Sequence, residues 1–107
     1  MTTIGRPISV KVFGQRYTIR YDYDSTESNG FCEADNNLIR ISPSMQDDKL
    51  FRVLMHEICH AIIAETPLYG RKRFDEEEVC NIVGFHFIDM LKDNPKLVAW
   101  LTKPSEE

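Results

Sequence analysis

The hydrophobic pattern of the chain changes its period once, at Ser42-Pro43-Ser44. Residues 7–43 alternate apolar and polar side chains and are rich in β-branched and aromatic residues, which is typical of strands with one buried face. After Met45 the apolar residues recur every three or four positions, which is the period of an amphipathic helix. The sequence therefore predicts an α+β fold in a single domain, with a sheet in residues 1–43 and helices in residues 44–107.

Turn-forming residues divide the first part into strands. We expect three to four strands in a small antiparallel sheet, with tight turns at Gly14-Gln15 and at Asn36-Asn37, because glycine and asparagine tolerate the positive φ that such turns require. The last strand, Leu38–Ile41, is a candidate for the edge of the sheet, where an extended peptide could add as a further strand.

Three helices are expected in the second part. The first runs from Met45 to about Ala64, with Ser44 and Asp47 as a capping pair at its start. The second runs from Asp75 to about Lys92, because the acidic residues that open it are favoured at a helix N-terminus. A short third helix over Pro95–Leu101 is expected to pack Trp100 against the core.

Composition excludes several classes of function. The chain of 107 residues is acidic, with a formal net charge of −4, which disfavours binding to nucleic acid or to an anionic membrane surface. No apolar run approaches the roughly 18 residues of a membrane-spanning helix, and the first ten residues lack the pattern of a secretion signal. Three cysteines cannot complete a set of disulfides. We expect a monomeric protein of the reducing cytoplasm.

One motif carries chemistry, the run His56-Glu57-Ile58-Cys59-His60 inside the first helix. Four residues is just over one helical turn, so both imidazoles project from the same face. Two nitrogens at this spacing can bind one Zn²⁺, while Glu57 can reach a water on the metal without becoming a ligand.

The simplest alternative is a helix that carries two surface histidines and a glutamate by chance. Two observations oppose it. The chain has only three histidines, two of them in this motif, and the motif interrupts an apolar face at Val53, Ile58 and Ala61, where unpaired imidazoles would be costly to bury. The pattern therefore indicates a zinc site with His56 and His60 as ligands and Glu57 as general base.

The motif resembles that of the zincin metallopeptidases. In the metzincin branch a glycine and a third histidine follow, but Ile63 and Thr66 stand at those places. Gluzincins instead take a glutamate from the next helix, which offers Glu76, Glu77 and Glu78. Residues 77–84 resemble the ligand helix of thermolysin-like gluzincins, with Asn81 in place of an aspartate. The resemblance implies that Glu77 binds zinc, that Asn81 orients a histidine and that Gly84 lets the two helices approach closely.

Other candidates stay open beside these. Glu78 is the alternative third ligand, because the placement of a first helical turn is uncertain by a residue, and His86 could serve if no glutamate binds. Tyr69 lies in the loop between the helices, where thermolysin-like enzymes place a tyrosine that hydrogen-bonds the oxyanion. A loop tyrosine that packs against the core is the alternative interpretation.

The order of strands, motif helix and ligand helix resembles ImmA/IrrE-type metallopeptidases and, more closely, small zinc metallopeptidase-like proteins encoded by bacteriophages. This resemblance implies a cytoplasmic, zinc-dependent peptidase that hydrolyses a protein or peptide substrate. The alternative function is a zinc-binding, catalytically weak or inactive protein that acts as an interaction module on a host factor.

Overall fold

The computed structural model describes residues 5–66 and 75–104, apart from the side chains of residues 76, 80–83 and 85. The α+β class and the order of strands before helices are confirmed. In this part of the chain the elements are β1 (Ser9–Val12), β2 (Gln15–Arg20), β3 (Gly30–Glu33), a 3₁₀ turn (Ala34–Asn36), β4 (Leu38–Ile41), α1 (Asp47–Ala64), α2 (Glu76–Asp93) and α3 (Pro95–Leu101).

The sheet is mixed and not antiparallel as predicted. Its strand order is β1-β2-β4-β3, with antiparallel pairs at both ends and a parallel pair β2–β4 in the middle. The more apolar β4 takes the interior place and buries Ile39 and Ile41. The edge falls to β3, so the expectation that Leu38–Ile41 forms an edge was wrong. Alternation identified the strands but carries no information about their order.

Both predicted hairpin turns lie close to their expected positions but differ in their residues. The first turn is Phe13-Gly14, not Gly14-Gln15, and both its residues have positive φ, 50° and 80°, as a hairpin turn that matches the strand twist requires. The second connection is longer than two residues, because a 3₁₀ turn precedes Asn37. Asn37 adopts the left-handed conformation that its side chain tolerates, with φ of 49°.

The helices agree with the predicted ones to within two residues, and α3 has the predicted bounds. The capping pair at the start of α1 was wrong. Gln46 occupies the cap without a side-chain hydrogen bond, and Ser44 Oγ lies 3.1 Å from Ser42 Oγ instead. At α2 the Asp75 carboxylate accepts a hydrogen bond from the backbone N–H of Glu77, as a helix-capping aspartate does.

The helices pack on one face of the sheet, and the core lies between the two layers. Trp100 is fully buried and meets Phe51 edge to face at 4.6 Å, which confirms its role as a packing anchor. Within the described ranges, no helix is long and apolar enough to cross a membrane. The buried sheet residues are Val10, Val12, Tyr17, Ile19, Ile39 and Ile41, and those of α1 are Leu50, Leu54, Glu57, Ile58, Ala61 and Ile62.

A buried asparagine ties the helices to the outer strand of the sheet. Asn94 lies between α2 and α3 and is 9% exposed. Its side-chain amide accepts a hydrogen bond from the Lys11 N–H at 2.8 Å and donates to the Lys11 carbonyl at 2.8 Å and to the Met90 carbonyl at 2.7 Å. The amide therefore pairs with β1 in the way that a neighbouring strand would.

Candidate metal centre

The motif residues divide between the two faces of α1. His56 and His60 are exposed and lie one turn apart, with their Nε2 atoms 3.2 Å from each other and their rings close to perpendicular. Glu57 is only 6% exposed, because the step of about 100° per residue turns it toward the buried stripe of the helix. The helix thus presents a histidine pair to solvent and keeps the carboxylate beneath it.

Glu57 is covered by β3, which approaches α1 closely at Gly30. A Cβ atom at Gly30 would lie 3.0 Å from Val53 Cγ1 and 3.2 Å from both Cγ and Oε2 of Glu57. Distances this short leave no room for a side chain without displacement of the neighbours. A glycine in a strand commonly marks such a close backbone approach.

A groove of about 400 Å³ runs between β3 and α1. Its walls include Gly30, Phe31 and Cys32 on the strand side and His56, Glu57 and His60 on the helix side. All three motif residues that the sequence singled out for chemistry therefore line one solvent-accessible space.

The backbone of β3 is open at Cys32, which lines this groove. Asn29 accepts a hydrogen bond from the N–H of Ser42, which fixes the alternation of the β3–β4 ladder. By that alternation the N–H and C=O of Gly30 and Cys32 point away from β4. The Gly30 carbonyl accepts from Ser28 Oγ at 3.2 Å, whereas no hydrogen bond from the described residues reaches the outward groups of Cys32.

Burial governs the ionisation of the two titratable groups beneath the groove. It raises the pKa of the Glu57 carboxyl, and the neighbouring His60 and His56 act in the opposite direction. Burial, together with the carboxylates of Glu57 and Glu33, raises the pKa of the Cys32 thiol to about 11. Cys32 is therefore a neutral thiol at pH 7 and not the thiolate that nucleophilic catalysis requires.

The histidine pair has a geometry that fits zinc. Two nitrogen ligands at 2.0–2.1 Å from a tetrahedral Zn²⁺ lie about 3.3 Å apart, and the Nε2 atoms of His56 and His60 lie 3.2 Å apart. In the absence of metal, one neutral imidazole can donate a hydrogen bond to the other across the same distance. The spacing of the two nitrogens therefore matches that of two zinc ligands.

The third ligand is not assembled in the described residues, where no group of three His, Cys, Asp or Glu side chains could hold a metal ion. Glu77 is exposed in the first turn of α2, and Glu78 is half-buried. His86 meets the ring of Phe13 edge to face at 4.4 Å, beside the β1–β2 turn. The choice between Glu77 and Glu78 stays a prediction.

Three further expectations concern the loop and α2. Tyr69 lies outside the described residues, and so does the side chain of Asn81. Gly84 is exposed, and a Cβ atom built there meets nothing within 4 Å among the described atoms. The close approach of α1 and α2 that was expected at Gly84 is therefore not seen among these atoms. The close contact is between β3 and α1, at Gly30.

Sequence reasoning missed the strand side of the groove. Gly30, Phe31 and Cys32 belong to β3, and the sequence did not identify this strand as an edge. The one available signal was the glycine next to the aromatic residue, because a glycine in a strand indicates close packing of another element.

The chain was compared with known proteins in three ways. None of the three comparisons, with protein-family models, with curated proteins and with solved structures, found a match.

Proposed function

We propose that this protein is a zinc-dependent metallopeptidase whose active site is the groove between β3 and α1. One observation carries the proposal. A buried carboxylate, Glu57, lies between two exposed histidines whose Nε2 atoms are 3.2 Å apart, on the wall of an open groove. Burial raises the pKa of this carboxyl, and a carboxyl with a raised pKa on the wall of a groove is a candidate general base.

In this proposal His56 and His60 hold the zinc ion through Nε2, and a carboxylate of α2, Glu77 or alternatively Glu78, completes the site. Zinc supplies Lewis-acid chemistry when it is bound, because it acidifies water and polarises a carbonyl group. The Glu57 carboxylate accepts the proton of the attacking water and returns it to the nitrogen of the leaving amine. Tyr69 is the proposed hydrogen-bond donor to the oxyanion.

The open backbone of β3 provides a place for the substrate. An extended peptide that lies along the strand can exchange hydrogen bonds with the N–H and C=O of Cys32. Its main chain then passes over His56 and Glu57, which line the same groove. The strand to which an extended peptide adds is therefore β3 in this proposal, and not Leu38–Ile41.

The alternative function is a zinc-stabilised interaction module. One observation favours it: in the described part of the chain, no group of three side chains that could bind a metal comes together. A pure binding module has no need of a buried glutamate beside its metal. The experiment below separates the two functions.

The test compares the zinc-loaded wild type with Glu57→Gln on an unfolded protein substrate, with new peptide N-termini counted by mass spectrometry. Glu65→Gln is the matched control, since Glu65 caps the end of the same helix outside the groove. We expect the wild type and the control to cleave, and Glu57→Gln to lose at least about 100-fold in rate while it keeps its zinc. Equal cleavage by Glu57→Gln would contradict the peptidase mechanism, and zinc binding without any cleavage would favour the interaction module.

A further inference from the structure

Phe31 is an exposed aromatic residue at the rim of the groove. Its side chain is 47% exposed, and it belongs to an edge strand. An exposed apolar residue on an edge strand favours aggregation, so its presence there indicates a binding role. The other exposed large apolar residues of the described ranges, Ile88 and Ile8, do not line the groove. Phe31 alone of these three lies beside the candidate site.

The ring of Phe31 is held in place from behind. It stacks on Tyr23 with ring centroids 6.2 Å apart and planes within 14° of parallel. The guanidinium of Arg40 lies 5.7 Å from the centre of the Tyr23 ring and donates to the Asp22 carboxylate at 3.1 Å. A ring fixed in this way loses little conformational freedom when a ligand packs on it, which is what a recognition surface requires.

The register of the sheet relates Phe31 to the metal centre. Phe31 is paired with Arg40 and lies on the outer face of the sheet, whereas its neighbours Gly30 and Cys32 lie on the face toward α1. A peptide added along β3 alternates in the same way. The side chain that lies beside Phe31 therefore belongs to a residue whose neighbours in the peptide point toward His56 and Glu57.

We infer that Phe31 determines specificity, and that the groove takes extended peptides with a large apolar or aromatic side chain beside this ring. The inference rests on the proposed function in that it takes the peptide to lie along β3. Arg40 is held on the Tyr23 ring and by the Asp22 carboxylate, which it shares with Arg20, so the group that this part of the rim offers to a peptide side chain is the Phe31 ring. Packing on an aromatic ring is worth about tenfold in affinity.

The experiment selects random linear peptides on five immobilised zinc-loaded proteins: the wild type, Glu57→Gln, Phe31→Ser, Phe31→Leu and Ile88→Ser. Ile88 is the matched control, because its exposure of 49% is nearly the same and it lies on α2 away from the groove. Glu57→Gln removes hydrolysis from the selection. Phe31→Leu is included as the conservative change, and thermal unfolding verifies that each variant folds.

We expect the wild type, Glu57→Gln, Ile88→Ser and Phe31→Leu to enrich peptides with a large apolar residue at one fixed position. Phe31→Ser is expected to lose this enrichment and to bind the selected peptide about tenfold more weakly by fluorescence anisotropy. The same enrichment on Phe31→Ser, or no enrichment on any protein, would overturn the inference. A selected peptide that binds through Phe31 but is not cleaved by the wild type would contradict the proposed function and leave the inference standing.

Discussion

The two edges of the sheet are treated in opposite ways. At the closed edge, β1, the side-chain amide of Asn94 takes both the N–H and the C=O of Lys11. At the open edge, β3, the equivalent groups of Cys32 point away from β4 beside a groove that Cys32 lines, and no described residue bonds to them. An unpaired strand edge is a liability that proteins usually cover. The groups left open at Cys32 lie beside the histidine pair.

The buried polar residues at the two edges show the same contrast. Asn94 and Glu57 are equally inaccessible, at 9% and 6% exposure. Asn94 makes three hydrogen bonds of 2.7–2.8 Å, whereas no donor of the described residues bonds to the Glu57 carboxylate. A satisfied buried amide stabilises and specifies a fold, while a carboxylate that burial removes from most of its water costs stability. The closed edge thus serves the structure, and the open edge serves the proposed chemistry.

The largest effect is expected at the closed edge. Asn94→Ala removes three hydrogen bonds and leaves the outward N–H and C=O of the half-buried Lys11 without partners, so the free energy of unfolding should fall by about 3 kcal/mol. Chemical denaturation measures it, with the exposed Asn36→Ala as a control that should change stability by less than about 0.5 kcal/mol. Zinc binding by the folded variant should be unchanged. A loss below about 1 kcal/mol would show that the amide does not hold this edge.

Zinc should stabilise the folded protein only by binding to the histidine pair beside β3. With free zinc at about 100 times its dissociation constant, the wild type should gain about 2.7 kcal/mol, and a chelator should remove the gain. His56→Ala should bind no zinc and show no gain, whereas His86→Ala should bind as the wild type does. Elemental analysis and thermal unfolding measure both quantities. Full zinc content in His56→Ala would exclude the histidine pair as the site.

A methyl group added to each of two glycines tests the close packing of β3 on α1. Gly30→Ala places a Cβ atom 3.0–3.2 Å from Val53 and Glu57, so it should lower the free energy of unfolding by about 2 kcal/mol. Gly84→Ala meets nothing nearby and should raise it by up to about 1 kcal/mol, because alanine is the better helix former. Equal effects of the two changes in denaturant titrations would contradict the approach of β3 to Glu57.

The smallest effect concerns the cost of the buried carboxylate. In the metal-free protein Glu57→Gln should raise the free energy of unfolding by about 1 kcal/mol at pH 7, because an amide is cheaper to bury than a carboxylate. Burial raises the pKa of Glu57 above 4.5 in the folded state. The wild type therefore loses stability as the pH rises from about 4.5 through the higher pKa of the folded state. The difference in the free energy of unfolding between the two proteins should vanish below about pH 4, where the carboxyl is protonated in both the folded and the unfolded state. A difference that does not depend on pH would contradict this account.

The sequence predicted the positions of the helices and strands well, but it predicted poorly which of them lie next to each other in space. The helical period and the residues around Pro95 placed α1 and α3, because helix formation depends on residues close in the chain. The motif likewise placed His56, Glu57 and His60 together, since one helical turn suffices. Asn94 meets Lys11 across 83 positions of sequence, and no local pattern encodes such a contact. The edge position of β3 was missed for the same reason, because strand order is decided by packing.

The most direct test of the difference between the edges is hydrogen exchange at two backbone amides of the native protein. The Lys11 N–H, bonded to Asn94, should exchange at least about tenfold more slowly than the outward Cys32 N–H, relative to their unstructured rates. A peptide that binds along β3 should slow exchange at Cys32 and leave Lys11 unchanged. Equal protection of the two amides before any peptide is added would contradict the account, since the edge beside Glu57 would then not be open.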